Sequence, residues 1–300
     1  MKTTALTLKG IGSYLIKKKW AYLFILPNIL IFLAFIVYPV LYSFLLSFQE
    51  YGVWGNEWIG LDNFFYLFSD YVFWQALKNT AIVTVVMVPL GIIVALLLAS
   101  FLHPLSERVK GFFRMAYYLP GVASGVVMGM IWRWLYDPNF GLFNLILEKI
   151  GVAAQPWLTS PKTALGSLML MIFMAAPGTA IILYLSAMKK IPKELYEAAE
   201  IDGAGSIIKW FKITLPLVKA TTLYLVIINT IASFQIFTQI FVMTQGGPGY
   251  STYTLVYQIY MTAFRDFEFG LASAQAMILF AIISIFSVLQ FKFLSSDVEY

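Results

Sequence analysis

The sequence predicts an all-α integral membrane protein of six transmembrane helices, with a helix–turn–helix on the cytoplasmic face between spans four and five. Three observations predict it. Hydrophobic residues make up 60% of the 300 residues and charged residues 12%, against about 25% charged in a soluble domain. Apolar blocks of the ~20 residues needed to cross the hydrocarbon core recur at about 20–48, 73–102, 111–135, 163–187, 215–243 and 270–294. Lys and Arg concentrate in every second intervening segment, which is the asymmetry that orients membrane proteins.

The N-terminal segment, 1–19, holds five lysines and is expected on the cytoplasmic side. The apolar run after it is too long for a signal h-region, contains Pro39 and has no small-residue cleavage site, so it reads as an uncleaved first span. Residues 20–300 then form one transmembrane domain. Glu50 to Val72 has no Lys or Arg and carries four carboxylates, Glu50, Glu57, Asp62 and Asp70. Arg108, Lys110 and Arg114 follow span two. Only Lys149 and Lys162 lie in the longer stretch from Asp137 to Lys162. Six lysines lie between Lys189 and Lys219, and Arg265 is the one cation from Thr244 to Phe269. Both termini are therefore expected in the cytoplasm. Trp54, Trp58, Trp74, Trp132 and Trp134 fall at outer span ends, where an aromatic belt belongs. Pro39, Pro89, Pro120 and Pro177 are expected to kink spans.

Composition excludes several chemistries. The absence of cysteine removes disulfides, iron–sulfur clusters and thiolate zinc sites. His103, the single histidine, sits beside Pro104 in a short loop and reads as a solvated residue. The net charge of +5 is spread between apolar blocks, which suits basic cytoplasmic loops and no nucleic acid. No Asp or Glu lies deep in a span, so a proton relay has no carboxylate to use. Lys78, Arg133, Lys219 and Lys292 sit near span ends, where they can snorkel.

The most informative stretch is Ile191 to Pro216, IPKELYEAAEIDGAGSIIKWFKITLP, within a cytoplasmic loop at 189–216. Pro192 suits a first helical turn. Glu194 and Glu197 favour the positive end of the helix dipole. Leu195, Ala198 and Ala199 share a face. Gly203 and Gly205 can end a helix with a positive φ, and Ser206 can cap a second helix carrying Ile207, Ile208, Trp210 and Phe211. These features predict a compact hairpin, either a docking element or an interfacial anchor.

Glu197-Ala198-Ala199, three residues, Gly203, nine residues and Ile213-Thr214-Leu215-Pro216 resemble the EAA signature of binding-protein-dependent ABC importer permeases. Leu119-Pro120-Gly121-Val122-Ala123-Ser124 with Trp132, and Gly141-Leu142-Phe143-Asn144, look like carbohydrate-uptake members. Thr244-Gln245-Gly246-Gly247-Pro248-Gly249, with Thr252 and Tyr260 to Phe264, is similar to the outer loop of the first permease in maltose- and glycerophosphate-type pairs. The C-terminal run Ser295 to Tyr300 lacks the basic tail of the second member.

The resemblance implies a type I importer permease in the cell membrane, and no enzyme. Its partners would be a second permease in a heterodimer, two cytoplasmic ATPase subunits and an extracytoplasmic solute-binding protein. ATP and magnesium would bind the ATPase, and this chain would bind no cofactor and no metal. It has no Gly-Lys-Ser or Gly-Lys-Thr of a phosphate-binding loop. Carried over, Glu197, Ala198, Ala199, Gly203, Ile213, Leu215 and Pro216 would form the ATPase contact, with Asp202 beside the turn.

The substrate path is read from polar residues of span five. Asn229 and Ser233 are four apart and share a face, while Gln235, Thr238 and Gln239 form a second stripe. Phe234 and Phe237 are near, but neither closely shares the face of Asn229 and Ser233. These groups suit a sugar or, alternatively, hydrogen bonds between helices. Other functional readings are an ABC permease for a non-sugar solute and an ATP-independent secondary transporter. A membrane enzyme finds no acid pair or Ser–His set to use.

Overall fold

A computed structural model of the chain describes residues 19–52, 55–175 and 178–294. The segment 1–18, Trp54, Pro177 and the run 295–300 lie outside the described residues. The fold is helical throughout except for one small hairpin. Helix α1 (Lys19–Phe32) passes through a π turn (Leu33–Val37) into α2 (Tyr38–Leu46). Strands β1 (Gln49–Gly52) and β2 (Gly55–Trp58) pair antiparallel, Gln49 opposite Trp58. This hairpin is a departure from the all-α expectation.

Helix α3 (Asp62–Ser69) lies before the long α4 (Tyr71–Leu102). Then come α5 (Glu107–Val122), α6 (Gly125–Leu135), α7 (Leu142–Lys149), α8 (Ala164–Ala175) and α9 (Gly178–Lys189). The hairpin helices are α10 (Lys193–Ile201) and α11 (Ser206–Lys209), followed by a second π turn (Trp210–Thr214) and α12 (Leu215–Leu217). Last are α13 (Lys219–Phe234), α14 (Thr238–Met243), α15 (Leu255–Phe264) and α16 (Phe269–Leu294). Both π turns run into a helix with proline at its second residue, Pro39 and Pro216. A proline has no N–H for the i−4 carbonyl, and the preceding turn widens around that gap.

Among the described residues, four helical stretches are long and apolar enough to cross a membrane: Tyr22–Leu46, Tyr71–Leu102, Lys219–Met243 and Phe269–Phe293. A fifth forms if Ala164–Met174 and Gly178–Lys189, bent by 44°, are taken together. The stretch read as a continuous span at 111–135 is two helices. They part at Ala123 and Ser124, which are extended (ψ 142° and 136°). Ser124 Oγ accepts from the Val126 amide at 3.3 Å and so begins α6. Gly121, Ser124 and Gly125 favour the break because each is a weak helix former.

Helix α4 is the axis, touching α8, α9, α13 and α15. Its buried positions Phe73, Ala76, Thr80, Val83, Met87, Ile92, Ala95, Ala99 and Leu102 recur every three to five residues. Lipid is as apolar as leucine, so the gain here comes from close packing, and Ala76, Ala95 and Ala99 permit it. Three clusters form among the described residues. One joins Leu67, Phe73, Trp132, Tyr136, Leu168 and Tyr257. Another joins Ile92, Leu96, Ile181, Tyr184, Met188 and Val218. The smallest joins Val83, Met87 and Ile236. Trp132 is 8% exposed and packs against Tyr136 and Phe143, so it is a core residue and not a belt residue. Trp58, Trp74 and Trp134 are exposed.

Candidate functional site

A cavity of about 370 Å³ lies beside the smallest cluster, whose Val83, Met87 and Ile236 line it. Asn229, Ser233, Gln235 and Gln239 all line it, with Thr238 and Phe237. On a continuous helix these residues would fall on two stripes. The helix is not continuous: α13 ends at Phe234, and Gln235 to Phe237 are non-helical. Phe237 has φ −138° and ψ −58°. Thr254 Oγ1 holds the break by donating to the Ile236 carbonyl at 3.1 Å. The break swings α14 so that both polar stripes face one space. It also brings Phe237 to the wall, while Phe234 stays buried against Phe286.

The cavity polar groups are differently committed. Asn229 Nδ2 donates to the Leu225 carbonyl at 2.7 Å, within its own helix. Ser233 Oγ is buried without a hydrogen-bond partner. The facing wall is apolar, with Val83, Met87 and Val88 from α4 and Ile172 and Phe173 from α8. Gly91 leaves open space there, since an added Cβ would meet no described atom within 4 Å. On the far side, α14 is held by α6. A Cβ at Gly129 would lie 3.0 Å from Val242 Cγ1, and one at Gly125 would lie 3.4 Å from Thr238 Cγ2. The Gly125-x-x-x-Gly129 spacing permits that approach. Sequence reasoning missed it, although the spacing was visible.

The hairpin of α10 and α11 is geometrically well defined. Asp202 caps α10, and Gly203 takes φ +78°. The Gly203 amide donates to the Glu200 carbonyl at 3.0 Å and the Ala204 amide to the Ala199 carbonyl at 2.8 Å. That pair of bonds is a Schellman closure. Gly205, not Ser206, is the N-cap of α11, and Ser206 is its first helical residue. The chain reaches α11 already extended at Gly205 (ψ 165°), so the cap position falls one residue early.

Glu197, Ala198, Asp202, Gly203 and Pro216 are exposed; Ala199, Ile213 and Leu215 are half-buried. Large apolar side chains are exposed beside them: Ile201 at 88%, Ile207 at 74% and Phe211 at 58%. The hairpin is nevertheless fastened to the bundle. Trp210 Nε1 donates to Ser100 Oγ on α4 at 2.7 Å, and Tyr196 Oη lies 2.8 Å from Thr214 Oγ1. Nearby, His103 is half-buried rather than solvated. Burial, and then the Lys110 charge, push its pKa below the usual histidine value.

Residues 87–299 match the family model described as binding-protein-dependent transport system inner membrane component. The chain belongs to this family. A probable ABC transporter permease protein of Bacillus subtilis (strain 168) is 34% identical over 93% of this chain and 97% of its own. The arabinooligosaccharides transport system permease protein of the same organism is 34% identical over 92% and 88%. A crystal structure of a bacterial ABC transporter involved in the import of the acidic polysaccharide alginate contains a chain of the same fold. Its TM-score is 0.85 at 23% identity, covering 95% of this chain and 98% of that one.

In this permease, the segments outside the hairpin that carried the resemblance are structural. Asn144 is buried, and its carboxamide is fully used. Nδ2 donates to the carbonyls of Pro138 and Gln155, and Oδ1 accepts from the Gln155 amide and Trp157 Nε1. Thr244 and Thr252 hydroxyls lie 2.8 Å apart, and Thr252 donates to the Gly247 carbonyl at 2.8 Å. Asn79 on α4 donates to the carbonyls of Tyr250 and Tyr253 at 3.0 and 2.8 Å. A lone Asn in an apolar span was the available signal for that bracket.

Proposed function

We propose that this permease forms the membrane path of an importer for a carbohydrate or carbohydrate derivative, powered by ATP hydrolysis in partner subunits. The observation that carries the reading is the convergence of Asn229, Ser233, Gln235 and Gln239 on one cavity midway along the bundle. Amides and a free hydroxyl can exchange hydrogen bonds with a polyol, while Met87, Phe173 and Phe237 offer apolar faces to ring carbons. The functions of similar proteins, transport of arabinooligosaccharides and import of alginate, support the same class.

In this reading both termini face the cytoplasm and the hairpin docks on an ATPase. Ile201, Ile207 and Phe211 are the apolar surface offered, with Glu197, Ala198 and Ala199 in the contact and Asp202 and Gly203 at its turn. Ile213, Leu215 and Pro216 join the hairpin to span five. A hairpin closed by its own hydrogen bonds and tied through Trp210 to Ser100 transmits a rigid-body push to α4. Helix α4 also lines the cavity, so motion at the hairpin reaches the solute. A second permease completes the path as a heterodimer, an extracytoplasmic binding protein delivers solute, and two ATPase subunits hold ATP and magnesium. This chain contributes binding, orientation and gating, and holds no cofactor.

The test is reconstitution of the tagged permease with its co-purifying subunits in lipid nanodiscs. An ATPase and a second permease should accompany the wild type, and loaded binding protein should stimulate ATP hydrolysis. Gly203→Pro, which cannot adopt φ +78°, should abolish the stimulation. Transport in liposomes without any ATPase would sink the proposal in favour of a secondary transporter.

A further inference from the structure

We infer that the solute passing this subunit is electrically neutral, a polyhydroxylated sugar without phosphate, sulfonate or uronate groups. The inference rests on the carbohydrate-path reading above and narrows it. The likeness to other transporters does not select the charge: one imports arabinooligosaccharides and another an acidic polysaccharide. The cavity does select. Its lining comprises Asn229, Ser233, Gln235, Thr238 and Gln239 as polar groups, and the rest is apolar or glycine. No Lys, Arg, His, Asp or Glu is among the described lining residues.

An ion moved into a low-dielectric space loses hydration that only a fixed opposite charge or several aimed donors can replace. A neutral hydroxyl needs one donor or acceptor, and this cavity has those. Ser233 Oγ is the clearest case, being buried and without a partner. Asn229 Nδ2 spends one of its two hydrogens on the Leu225 carbonyl within α13, which leaves its second N–H and its carbonyl oxygen for a sugar hydroxyl, the neutral donor-and-acceptor pairing that a polyol offers. Arg133 is exposed and turns to the Val242 carbonyl (3.5 Å), and neither it nor the exposed Lys78 is among the described lining residues.

The experiment uses the full complex in nanodiscs with its own binding protein, reading solute-stimulated ATP hydrolysis. The neutral probes are arabino-, gluco- and galacto-oligosaccharides and lactose. The anionic probes are glycerol 3-phosphate, sulfoquinovosyl glycerol and oligouronates. Stimulation by a neutral probe and by none of the anionic ones is expected. Stimulation by an anionic probe overturns the neutrality inference and leaves the carbohydrate path standing. No stimulation by either group, with an intact complex, overturns the carbohydrate path and this inference with it.

Variants give an independent reading with the stimulating probe. Ser233→Asp should reduce stimulation at least about tenfold, because it buries an unpaired charge, while Ser233→Thr should retain it. Arg133→Gln should leave stimulation within about twofold. A tenfold loss in Arg133→Gln would put a cation in the path and overturn the inference.

Discussion

Gly203 in the α10–α11 hairpin and Gly246 in the α14–α15 loop share one backbone conformation, φ +78° and +80°. Their surroundings are opposite. A Cβ on Gly246 would sit 2.3 Å from Tyr253 Cδ2 and 3.0 Å from Tyr257 Cε1, whereas a Cβ on Gly203 would meet no described atom within 4 Å. The Gly246 turn is enclosed by its own chain, with Thr252 and Thr254 fully buried. The Gly203 turn closes its own backbone bonds yet leaves Ile201, Ile207 and Phe211 uncovered. One turn is complete within this polypeptide. The other presents a finished shape to something outside it.

The same substitution at both glycines tests that contrast most directly. Gly246→Ala combines an unfavourable left-handed φ with a clash against a packed ring, for a loss of about 4 kcal/mol. Thermal melting of the solubilised complex should fall steeply. Gly203→Ala has the unfavourable φ and no clash, for about 1 kcal/mol. Equal losses at the two sites would end the distinction between an enclosed and an open turn.

Asn79→Ala comes between these. It orphans the carbonyls of Tyr250 and Tyr253, two groups that the Asn79 side chain now serves, for about 2–3 kcal/mol. The loss should appear as proteolysis of the α14–α15 loop at temperatures where the hairpin remains resistant. Simultaneous cleavage of both regions would show that they do not unfold independently.

How legible each region was follows from how local its determinants are. The hairpin could be read closely, because Gly203 and the capping bonds lie within a few residues of one another. Its misplacements are small: Gly205 and not Ser206 is the second N-cap, Gly205 has φ −67° and no positive φ, and Pro192 is the first N-cap and lies just outside the first turn. The polar residues of the cavity were readable as exceptions in an apolar span. The break that unites them was not, because Gln235-Ile236-Phe237 contains neither Gly nor Pro. Its anchor, Thr254, lies 18 residues further along the chain. Trp132 was read as an interface residue because its neighbour Phe143, itself packed on Trp157, is supplied by a segment that sequence alone presents as a loop. The short helices α3, α7 and α15 lie in segments read as connections for the same reason: they are too brief for periodicity to distinguish.

Trp210→Phe sharpens the comparison at smaller scale. It keeps an aromatic ring beside Phe211 and removes the indole donor to Ser100. The expected stability loss is about 1 kcal/mol. If the hairpin acts as a lever, solute-stimulated ATP hydrolysis should fall severalfold while ATPase affinity stays unchanged. A fall in affinity alone would assign Trp210 to the docking surface instead of the attachment.

Ile207→Ser has the smallest expected effect on the fold. The side chain is 74% exposed and α11 has no buried residue among those described, so the melting midpoint should hardly move, within about 0.5 kcal/mol. Affinity for the ATPase should nevertheless fall about tenfold, as expected when an apolar anchor is lost from an interface. The combination matters more than either number. An exposed isoleucine that affects neither stability nor binding would return the hairpin to the role of an interfacial anchor. One that affects binding alone places its purpose in a partner, which is what an uncovered apolar surface on a fastened, self-closed turn implies.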